Sequence, residues 1–408
     1  MQKKLTLFTA DYPYGTGETF LETEITYLAE GFDEVVIVSQ NLVDAQTRQV
    51  PANCKLVRLN LSVSTADKLL SLASLLHPVF WKELFIVKKV YVKSLYKGIL
   101  STMLISLFRA KKVKSLIAKQ LKNTPAETQN YFYSYWCDDV ALGLAMTEKE
   151  NLNLKCFCRM HGWDVYFEAS TINYLPYRHF ITENLKAIFA ISQKGIDYAS
   201  STWKVPDKSM FQLARLGVKD QIISNPNKDN FILVSCSNVI SLKRVDLIVR
   251  ALAELKNVQL KWVHFGDGPK LEEVKALASK ILPSNITIDF KGRVSNQEVL
   301  EWYTENNPSL FINVSTTEGI PVSIMEAMSF GIPVIATNVG GNSEIVNDEN
   351  GILLLSNPSA NEVSHVIELL MLDKKLLESK KEQAYNMWFG NYNGKKNYNQ
   401  FILDFQNL

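Results

Sequence analysis

The stretch from Val314 to Gly341 limits the fold of this chain more than any other part of its sequence. It reads as the end of a strand, an acidic loop, a short helix, a second strand and a glycine turn. Pro321 suits the first helical position, where a missing N–H costs nothing. Gly331 suits the left-handed position after the last helical turn. Strands that alternate with helices in this way predict an α/β protein with a parallel sheet.

The same stretch also has the chemistry of an anion site. Glu318 lies in the loop before the predicted helix, and Glu326 lies about two turns inside it. The backbone amides of Gly319–Ser323 lie between these two carboxylates, and a helix N-terminus with free amides attracts anions. This layout suits a ligand that has a phosphate centre with hydroxyl-rich groups on either side.

The chain has 408 residues, which is too many for one ordinary hydrophobic core, so we expect two domains. Apolar residues make up 47% of the sequence and charged residues 21%, as in a typical globular protein. The charge is divided unevenly. Positions 1–220 hold 27 basic and 21 acidic residues, whereas positions 221–408 hold 17 and 21. We therefore expect the first half to lie near an anionic partner.

The cysteines favour free thiols over disulfides or a metal site. Cys156 and Cys158 lie two apart on a predicted strand and so point to one face, whereas zinc sites usually use C-x₂-C pairs and four ligands. We predict buried free thiols, no metal and a reducing, cytoplasmic location. The N-terminal residues do not have the pattern of a signal peptide, and no apolar run reaches the ~18–20 residues of a spanning helix.

A glycine loop follows the first predicted strand. The strand Leu5–Phe8 leads into Gly15, Thr16 and Gly17, and a helical stretch comes next. A strand, a glycine loop and a helix form the phosphate-facing unit of many α/β sheets. The loop does not match G-x-G-x-x-G, so a dinucleotide site is poorly supported, and an ordinary turn is the alternative.

His161 follows another predicted strand, at 154–160. Because the carboxyl ends of parallel strands bind ligands, this histidine is a candidate site residue, although a structural role is the alternative. The alternation of strands and helices restarts near position 230. The two runs, 1–220 and 230–380, predict two Rossmann-like domains. The aromatic stretch 387–408 is helical in pattern, and we expect it to pack across the domain junction.

Residues 77–124 differ from the rest of the first half. From Lys82 to Lys122 there are eleven basic residues and one acid, Glu83. The uncharged stretch Gly98–Phe108 is too short to span a membrane and is suited to lie in its interface. Anionic lipid would attract such a segment by ~1 kcal/mol for each basic residue near the surface. The alternatives are helices whose lysines face water and, less favoured because no recognised motif accompanies the charge, a nucleic-acid surface.

The second half resembles the retaining glycosyltransferases of family 4, over most of residues 230–380. The motifs that carry the resemblance are Glu318-x₇-Glu326 with Gly-Ile-Pro after the first Glu, Gly331-Ile332-Pro333-Val334, Gly340-Gly341 followed by Glu344, Gly266-Asp267-Gly268-Pro269, and Lys243. The first half matches more loosely, through Pro13 to Gly17, His161-Gly162-x-Asp164, Ser192 and Gly217-Val218.

The resemblance implies an α/β protein with the GT-B fold, in which two Rossmann-like domains face a central cleft and a C-terminal helix crosses back to the first domain. We expect an acceptor-binding domain at 1–222, with the basic insertion at about 77–124. A domain that binds the nucleotide sugar would follow at 223–385, and the crossover helix at 386–408.

The resemblance also implies roles for the matching residues. Glu326 would bind the ribose hydroxyls of a nucleotide sugar, and Glu318 would bind hydroxyls of the transferred sugar. Lys243 would neutralise the diphosphate leaving group in place of a metal ion. His161 would contact the donor sugar near the reacting carbon. The other implied donor-binding residues are Gly15, Thr16 and Gly17 at the phosphates, Gly266 in its loop, Gly292, Arg293 and Val294 at the base, and Gly319, Ile320, Pro321 and Val322 at the diphosphate.

One position departs from the family's pattern. The family commonly has an arginine five residues before the phosphate-binding lysine, and this chain has Asn238 there. Asn238 can donate a hydrogen bond but has no charge. Either the additional cation Arg244 supplies the second charge at the diphosphate, or the diphosphate is held more weakly. Arg244 facing solvent, and Gly266–Pro269 as no more than a tight turn, are the alternatives.

The sequence thus predicts a cytoplasmic, metal-independent, retaining hexosyltransferase that needs no cofactor beyond its substrate. The donor would be a UDP- or GDP-sugar, and no nucleic-acid partner is expected. The basic segment favours a lipid-linked saccharide as acceptor in surface polysaccharide synthesis, with the protein peripheral on the inner membrane face. The alternatives are a small-molecule or protein acceptor, an epimerase, and a non-catalytic binding protein on the same scaffold.

Overall fold

The computed structural model of this chain describes residues 1–15, 17–151, 153–205, 207–221, 230–256 and 258–408. Thr16 of the glycine loop and the predicted domain boundary at 222–223 lie outside the described residues. The chain divides into two compact units. The first contains Met1–Leu216 and Asn397–Leu408, and the second contains Gly217–Lys396. Each unit is built on a parallel sheet, as the alternation of strands and helices predicts.

The first unit has a seven-stranded sheet in the order β3-β2-β1-β4-β5-β6-β7. Its strands are β1 (Lys3–Thr9), β2 (Glu34–Ser39), β3 (Cys54–Arg58), β4 (Gln129–Ser134), β5 (Lys155–Met160), β6 (Ala187–Ala190) and β7 (Phe211–Leu213). Its helices are α1 (Leu21–Gly31), α2 (Thr65–Ser71), α3 (Pro78–Lys89), α4 (Lys97–Lys122), α5 (Asp139–Glu150), α6 (Arg178–Asn184) and α7 (Gln193–Thr202), with 3₁₀ turns at Leu72–Leu76 and Phe167–Ala169. The order of the strands reverses between β1 and β4.

The second unit has a six-stranded sheet in the order β10-β9-β8-β11-β12-β13, with the reversal between β8 and β11. Its strands are β8 (Ile232–Cys236), β9 (Leu260–Phe265), β10 (Ile286–Gly292), β11 (Leu310–Asn313), β12 (Val334–Thr337) and β13 (Gly351–Leu354). Its helices are α8 (Val245–Leu252), α9 (Leu271–Ile281), α10 (Asn296–Asn306), α11 (Val322–Ser329), α12 (Asn342–Ile345), α13 (Ala360–Leu372) and α14 (Lys374–Asn391), with a 3₁₀ turn at Ser241–Lys243.

The last helix, α15 (Gly394–Asn407), completes the core of the first unit. Phe401 and Phe405 are buried in the same cluster as Leu5 and Tyr133 of the sheet. The predicted single helix at 386–408 is in fact the end of α14, a break, and α15. The break occurs where Gly394 donates a backbone hydrogen bond of 2.8 Å to the carbonyl of Val218.

The segment 77–124 folds into the first unit, and the stretch Gly98–Phe108, which we predicted to suit a membrane interface, lies entirely in α4. Its Ile99, Met103 and Leu107 are buried in the core. The spacing of four residues places these side chains on one face of the helix. That face packs on α5, where Gly143 leaves room: a Cβ there would lie 2.9 Å from the carbonyl oxygen of Ala110.

No single helix among the described residues is long and apolar enough to cross a membrane. The pair Thr65–Leu76 and Pro78–Lys89 meets the length and composition of a span only when both parts are joined, and it is bent by 84°. The predicted state of the cysteines in β5 is confirmed, because Cys156 and Cys158 are buried free thiols.

Candidate active site

Several predicted site residues lie in the loops at the reversal point of the second sheet. β8 ends at Cys236 and is followed by Asn238 and Lys243, while β11 ends at Asn313 and is followed by Glu318. β8 and β11 are adjacent parallel strands, so their following loops emerge side by side. Open α/β sheets bind ligands at the carboxyl ends of the strands on such a reversal point.

The carboxylate of Glu318 is held by three side chains. Its Oε1 accepts hydrogen bonds from Lys243 Nζ at 2.6 Å, from Ser315 Oγ at 2.5 Å and from Asn313 Nδ2 at 3.1 Å. The Glu318 side chain is 9% exposed and that of Lys243 is 23% exposed, so water is largely kept from this ion pair. The structure therefore brings together the lysine predicted at the diphosphate and the carboxylate predicted at the sugar.

The loop between Glu318 and α11 presents free backbone amides. Within the described part of the chain, no group accepts a hydrogen bond from the amides of Gly319, Ile320, Val322 or Ser323. The first amides of a helix have no partner inside it, and the helix dipole adds partial positive charge at this end. These amides form an anion site next to the ion pair.

Glu326 lies on the buried side of α11. Pro321 immediately precedes the helix instead of starting it, so Glu326 is the fifth helical residue and lies less deep than the predicted two turns. The Glu326 side chain is buried, and its Oε1 accepts a hydrogen bond of 2.7 Å from Asn296 Nδ2. Burial raises the pKa of the Cys236 thiol to about 12, and the nearby charge of Glu326 adds to this increase.

The glycine pair that follows β12 shapes the Glu318 loop. Gly340 has a φ of +50°, and a Cβ at this position would lie 1.7 Å from the carbonyl oxygen of Glu318. The amide of Gly341 donates a hydrogen bond of 2.8 Å to the carbonyl of Gly319. Only a residue without a side chain allows the two backbone segments to cross at this distance.

Gly266, after β9, allows a similar close contact with a neighbouring loop. Its φ is +137°, and a Cβ there would lie 1.9 Å from the carbonyl oxygen of Ser237. The amide of Val239 donates a hydrogen bond of 2.9 Å to the carbonyl of Asp267. The predicted tight turn at 266–269 is therefore also a support for the loop that follows β8. Asn238, in that loop, is exposed.

The residues predicted to meet the base continue from the end of β10. The amide of Gly266 donates a hydrogen bond of 2.8 Å to the carbonyl of Gly292, which joins the ends of β9 and β10. Arg293 is exposed and Val294 is partly buried. These three predicted residues, Gly292 to Val294, lie at the same edge of the sheet as the Glu318 loop, although two strands, β9 and β8, separate β10 from β11.

The geometry favours a structural role for Arg244 over the predicted charge contact with a diphosphate. Its Nε donates to the carbonyl of Val314 at 2.6 Å, and its Nη2 donates to the carbonyls of Ser315 and Ser356 at 3.0 and 2.9 Å. Its Nη1 donates to Asn357 Oδ1 at 2.9 Å. The guanidinium thereby joins the loops after β11 and β13, and its donors are engaged with the chain itself.

In the first unit, His161 directly follows β5 and is surrounded by aromatic rings. The ring centroids of Tyr135, Trp136 and Phe20 lie 4.5, 4.6 and 6.2 Å from its own. Burial lowers the pKa of His161 well below its usual range, and the charge of Arg159 acts in the same direction. Neither ring nitrogen has a hydrogen-bond partner among the described residues. The ring is therefore a neutral imidazole with two buried nitrogen atoms.

Asp164 holds the turn that carries His161. Its carboxylate accepts backbone hydrogen bonds of 2.9 Å from Cys137, His161 and Gly162. The buried Arg178 donates to the carbonyl of Asp164, also at 2.9 Å. The spacing His-Gly-x-Asp therefore positions the histidine, with the carboxylate directed at backbone amides.

Glu18, which sequence reasoning did not single out, anchors the glycine loop. Its carboxylate accepts hydrogen bonds from the amides of Ala10, Asp11 and Tyr12 at 2.9, 2.7 and 2.7 Å, and from Trp136 Nε1 at 2.6 Å. This buried glutamate joins the ends of β1 and β4, the reversal point of the first sheet.

The predicted loop residues Gly15 and Gly17 lie beside this anchor. Arg48 Nη2 donates to the carbonyl of Gly15 at 3.3 Å, and its Nη1 donates to that of Gly17 at 2.6 Å. Thr16, between them, is outside the described residues. The side chains that support the other site residues, namely Asn313, Ser315 and Asn296, were also missed. Asn313 had a signal, since it is a polar residue that ends a buried strand.

Comparison with known proteins shows which family the second unit resembles. Residues 219–387 match the family described as "Glycosyl transferases group 1". The match lies within the second unit and covers most of it. Protein CapJ of Staphylococcus aureus is 31% identical to this chain over 183 residues, a match that covers 41% of this chain and 44% of CapJ. The O-antigen biosynthesis glycosyltransferase WbnH of Escherichia coli is 25% identical over 217 residues, or 50% of this chain and 57% of WbnH.

Matches to the curated relatives span only part of those proteins, from 39% to 64% of their length among the first three. Solved structures show the fold over the whole chain. Anabaena Alr3699/HepE, solved in complex with UDP, has a TM-score of 0.69 at 14% sequence identity, with 100% of both chains covered. The fold is that of the GT-B glycosyltransferases, as the sequence motifs predict.

Proposed function

We propose that this protein transfers a sugar from a nucleotide diphosphate sugar to a hydroxyl group, with retention of configuration at the reacting carbon, as in family 4. The observation that carries the proposal is the Lys243–Glu318 ion pair beside the free amides that precede α11. A cation, a carboxylate and four N–H donors at one sheet edge suit a diphosphate flanked by hydroxyl groups. The group 1 family match and the UDP complex of Alr3699/HepE support a nucleotide-linked donor.

Each described site residue has a proposed role. Lys243 and the amides of Gly319 to Ser323 bind the diphosphate, and Glu318 accepts hydrogen bonds from the transferred sugar. Glu326, which is buried beside Asn296, accepts hydrogen bonds from the ribose. His161 contacts the transferred sugar through a ring nitrogen that is free in the described chain.

The proposed reaction needs no strong general base. The bond between the anomeric carbon and the phosphate oxygen breaks, and the acceptor oxygen forms the new bond on the same face of the sugar. The departing phosphate oxygen takes the proton of the acceptor hydroxyl. Lys243 and the free amides stabilise the charge that develops on the leaving diphosphate, so catalysis is orientation and electrostatic stabilisation. In this mechanism Lys243 takes the place that a metal ion has in other glycosyltransferases.

The proposed acceptor is a lipid-linked saccharide on the cytoplasmic face of a membrane, in surface polysaccharide synthesis. WbnH, whose name refers to O-antigen biosynthesis, supports this assignment by its similarity over half of the chain. The alternative, for the same activity, is an acceptor without lipid. An assay in which one donor is offered a mixture of both acceptors distinguishes the two.

The direct test is a thermal-shift panel of uridine and guanosine diphosphate sugars, followed by nucleotide release from the stabilising donor in EDTA. A donor that binds the folded state raises the melting temperature by mass action. Glu318→Ala is expected to lose most turnover, while Glu272→Ala, whose side chain is 83% exposed on α9, keeps it. Full turnover in Glu318→Ala, or conversion of the donor sugar without nucleotide release, would overturn the proposal in favour of a binding protein or an epimerase.

A further inference from the structure

The exposed apolar side chains of this protein are concentrated in one part of the first unit. Among the described residues, 19 large apolar side chains are exposed, and nine of them lie in residues 69–96. They are Leu69, Leu70, Leu72, Leu75, Leu76, Trp81, Phe85, Val92 and Tyr96. We call this set the apolar face. A concentration of exposed apolar side chains in one segment indicates an interaction site.

In α3, the apolar face is the outer side of a helix whose inner side belongs to the core. In α3, Phe80 and Val87 are buried, whereas Trp81 is 56% exposed and Phe85 is 61% exposed. Trp81 and Phe85 are four residues apart, so they lie on the same face of the helix.

The preceding 3₁₀ turn extends this surface. Trp81 Nε1 donates a hydrogen bond of 2.8 Å to the carbonyl of Leu75, which fixes α3 to the turn Leu72–Leu76. Leu76, in this turn, is 89% exposed. The segment Thr65–Leu76, which comprises α2 and this turn, is bent by 84° from α3, so the two do not form one rod. Exposed apolar side chains lie on both arms of this bend.

The charges around the apolar face are almost all positive. Lys68, Lys82, Lys88, Lys89 and Lys97 are exposed within residues 65–97. The same residues contain only two acids, and neither offsets these lysines. Glu83 is buried, and Asp67 is paired with Lys112 of α4 at 3.3 Å. Lys82 has its own partner, Glu183 of α6.

The geometry points to a docking surface for an anionic phospholipid bilayer, formed by α2, the 3₁₀ turn Leu72–Leu76 and α3. Leucine, tryptophan and phenylalanine side chains enter the boundary between headgroups and acyl chains, and the surrounding lysines pair with lipid phosphates. A second copy of the chain suits this surface less well, because a two-fold contact would bring the lysines of both copies together. The buried face of α4, which the sequence favoured, takes no part in the contact.

The inference deepens the proposed function, since a lipid-linked acceptor would be presented at such a bilayer. It is nevertheless tested without any reaction. Sedimentation with vesicles of phosphatidylcholine and phosphatidylglycerol measures binding directly. Comparison with vesicles of phosphatidylcholine alone gives the part of the binding that is due to lipid charge. Wild-type protein is expected to sediment with the anionic vesicles, and less so at high salt.

The decisive variant carries Leu76→Glu and Phe85→Glu. Both side chains are exposed, so the fold is expected to persist, and an unchanged melting temperature checks this. The partition coefficient onto anionic vesicles should fall by about tenfold or more. The matched control is Leu372→Glu, at a residue that is 70% exposed on α13 of the second unit, and it should bind as wild type does.

Three results would overturn the docking surface. The first is wild-type protein that stays wholly in the supernatant with anionic vesicles, and the second is a double variant that sediments as wild type does. The third is a wild-type dimer in vesicle-free buffer that the double variant abolishes, which would assign the apolar face to self-association. Donor binding by the second unit is measured separately, so a failed docking surface leaves the proposed activity unaffected.

Discussion

The ammonium of Lys243 lies 2.6 Å from Oε1 of Glu318, although the two residues are 75 positions apart in the chain. The group proposed to stabilise the leaving diphosphate therefore has a counter-ion before any ligand arrives. This contact fixes the lysine at the edge of the anion site, where an oriented charge needs little reorganisation during the reaction. It also means that a bound diphosphate shares the ammonium with Glu318.

Lys243→Met removes this charge and keeps most of the side-chain volume. We expect kcat to fall by about 10²–10³-fold, because one preoriented donor to the developing charge is lost. Nucleotide release from a saturating donor measures the effect. The control is Lys275→Met, at a lysine on α9 whose ammonium pairs with the exposed Glu272. Equal kcat values in the two variants would remove Lys243 from the mechanism.

Gly340→Ala is expected to disturb the donor site and the fold together. The added Cβ would lie 1.7 Å from the carbonyl oxygen of Glu318, on a backbone with positive φ, so the Glu318 loop must move. We expect the free energy of unfolding to fall by about 2 kcal/mol or more, with weaker donor binding. Gly390→Ala in α14, which meets open space, should instead be neutral or stabilising. Chemical denaturation of both variants measures this difference in stability. Unchanged stability of Gly340→Ala would contradict the prediction.

Arg244→Met distinguishes the structural role of this arginine from the charge contact that the sequence predicts. Four hydrogen bonds to the loops after β11 and β13 are lost, so we expect the free energy of unfolding to fall by about 2–3 kcal/mol. Arg250→Met, on the exposed side of α8, is the matched control. If Arg244→Met keeps its stability but loses donor affinity, the guanidinium serves the diphosphate after all.

Glu83 makes the stability of the first unit depend on pH. Burial raises the pKa of this glutamate from 4.5 to about 7. Between these values the folded chain keeps a proton that the unfolded chain has lost, so stability is greatest below pH 4.5 and declines as the pH rises through 7. The loss amounts to up to about 3 kcal/mol.

The measurement is the free energy of unfolding of Glu83→Gln relative to wild type, from pH 5 to pH 8. Glutamine does not titrate, so the variant should gain stability relative to wild type as the pH rises. Glu127→Gln, at an exposed residue, should show no such trend. Parallel curves for Glu83→Gln and wild type would show that Glu83 does not carry this pH dependence.

The local parts of the site could be read from the sequence. Gly331, which follows α11, has the left-handed conformation that its position predicted, with a φ of +69°. The free amides before α11 follow from the same short-range rules. The contact of Glu318 with Lys243 does not follow from these rules, because Lys243 lies in the loop after another strand. Their meeting depends on the pairing of β8 with β11, which sequence periodicity does not specify.

The nature of α4 was misread for a similar reason. A helix with an apolar stripe and many lysines has the same pattern whether its stripe meets lipid or protein. The partner, α5, is contributed by a later part of the chain, and Gly143 allows the close contact with α4. The apolar side chains that do face outward are leucines in α2 and the following turn, together with Trp81 and Phe85 of α3 and, after this helix, Val92 and Tyr96.

Because Phe401 and Phe405 lie in the core of the first unit, this core cannot be completed until the last helix has been synthesised. During translation, the first unit has its whole sheet from residue 213 onward but lacks the aromatic residues that close one side of it. The nascent polypeptide must carry this unfinished half until residues 401–405 have been translated. Chaperone demand should therefore be highest for ribosome-bound chains that stop just short of position 401.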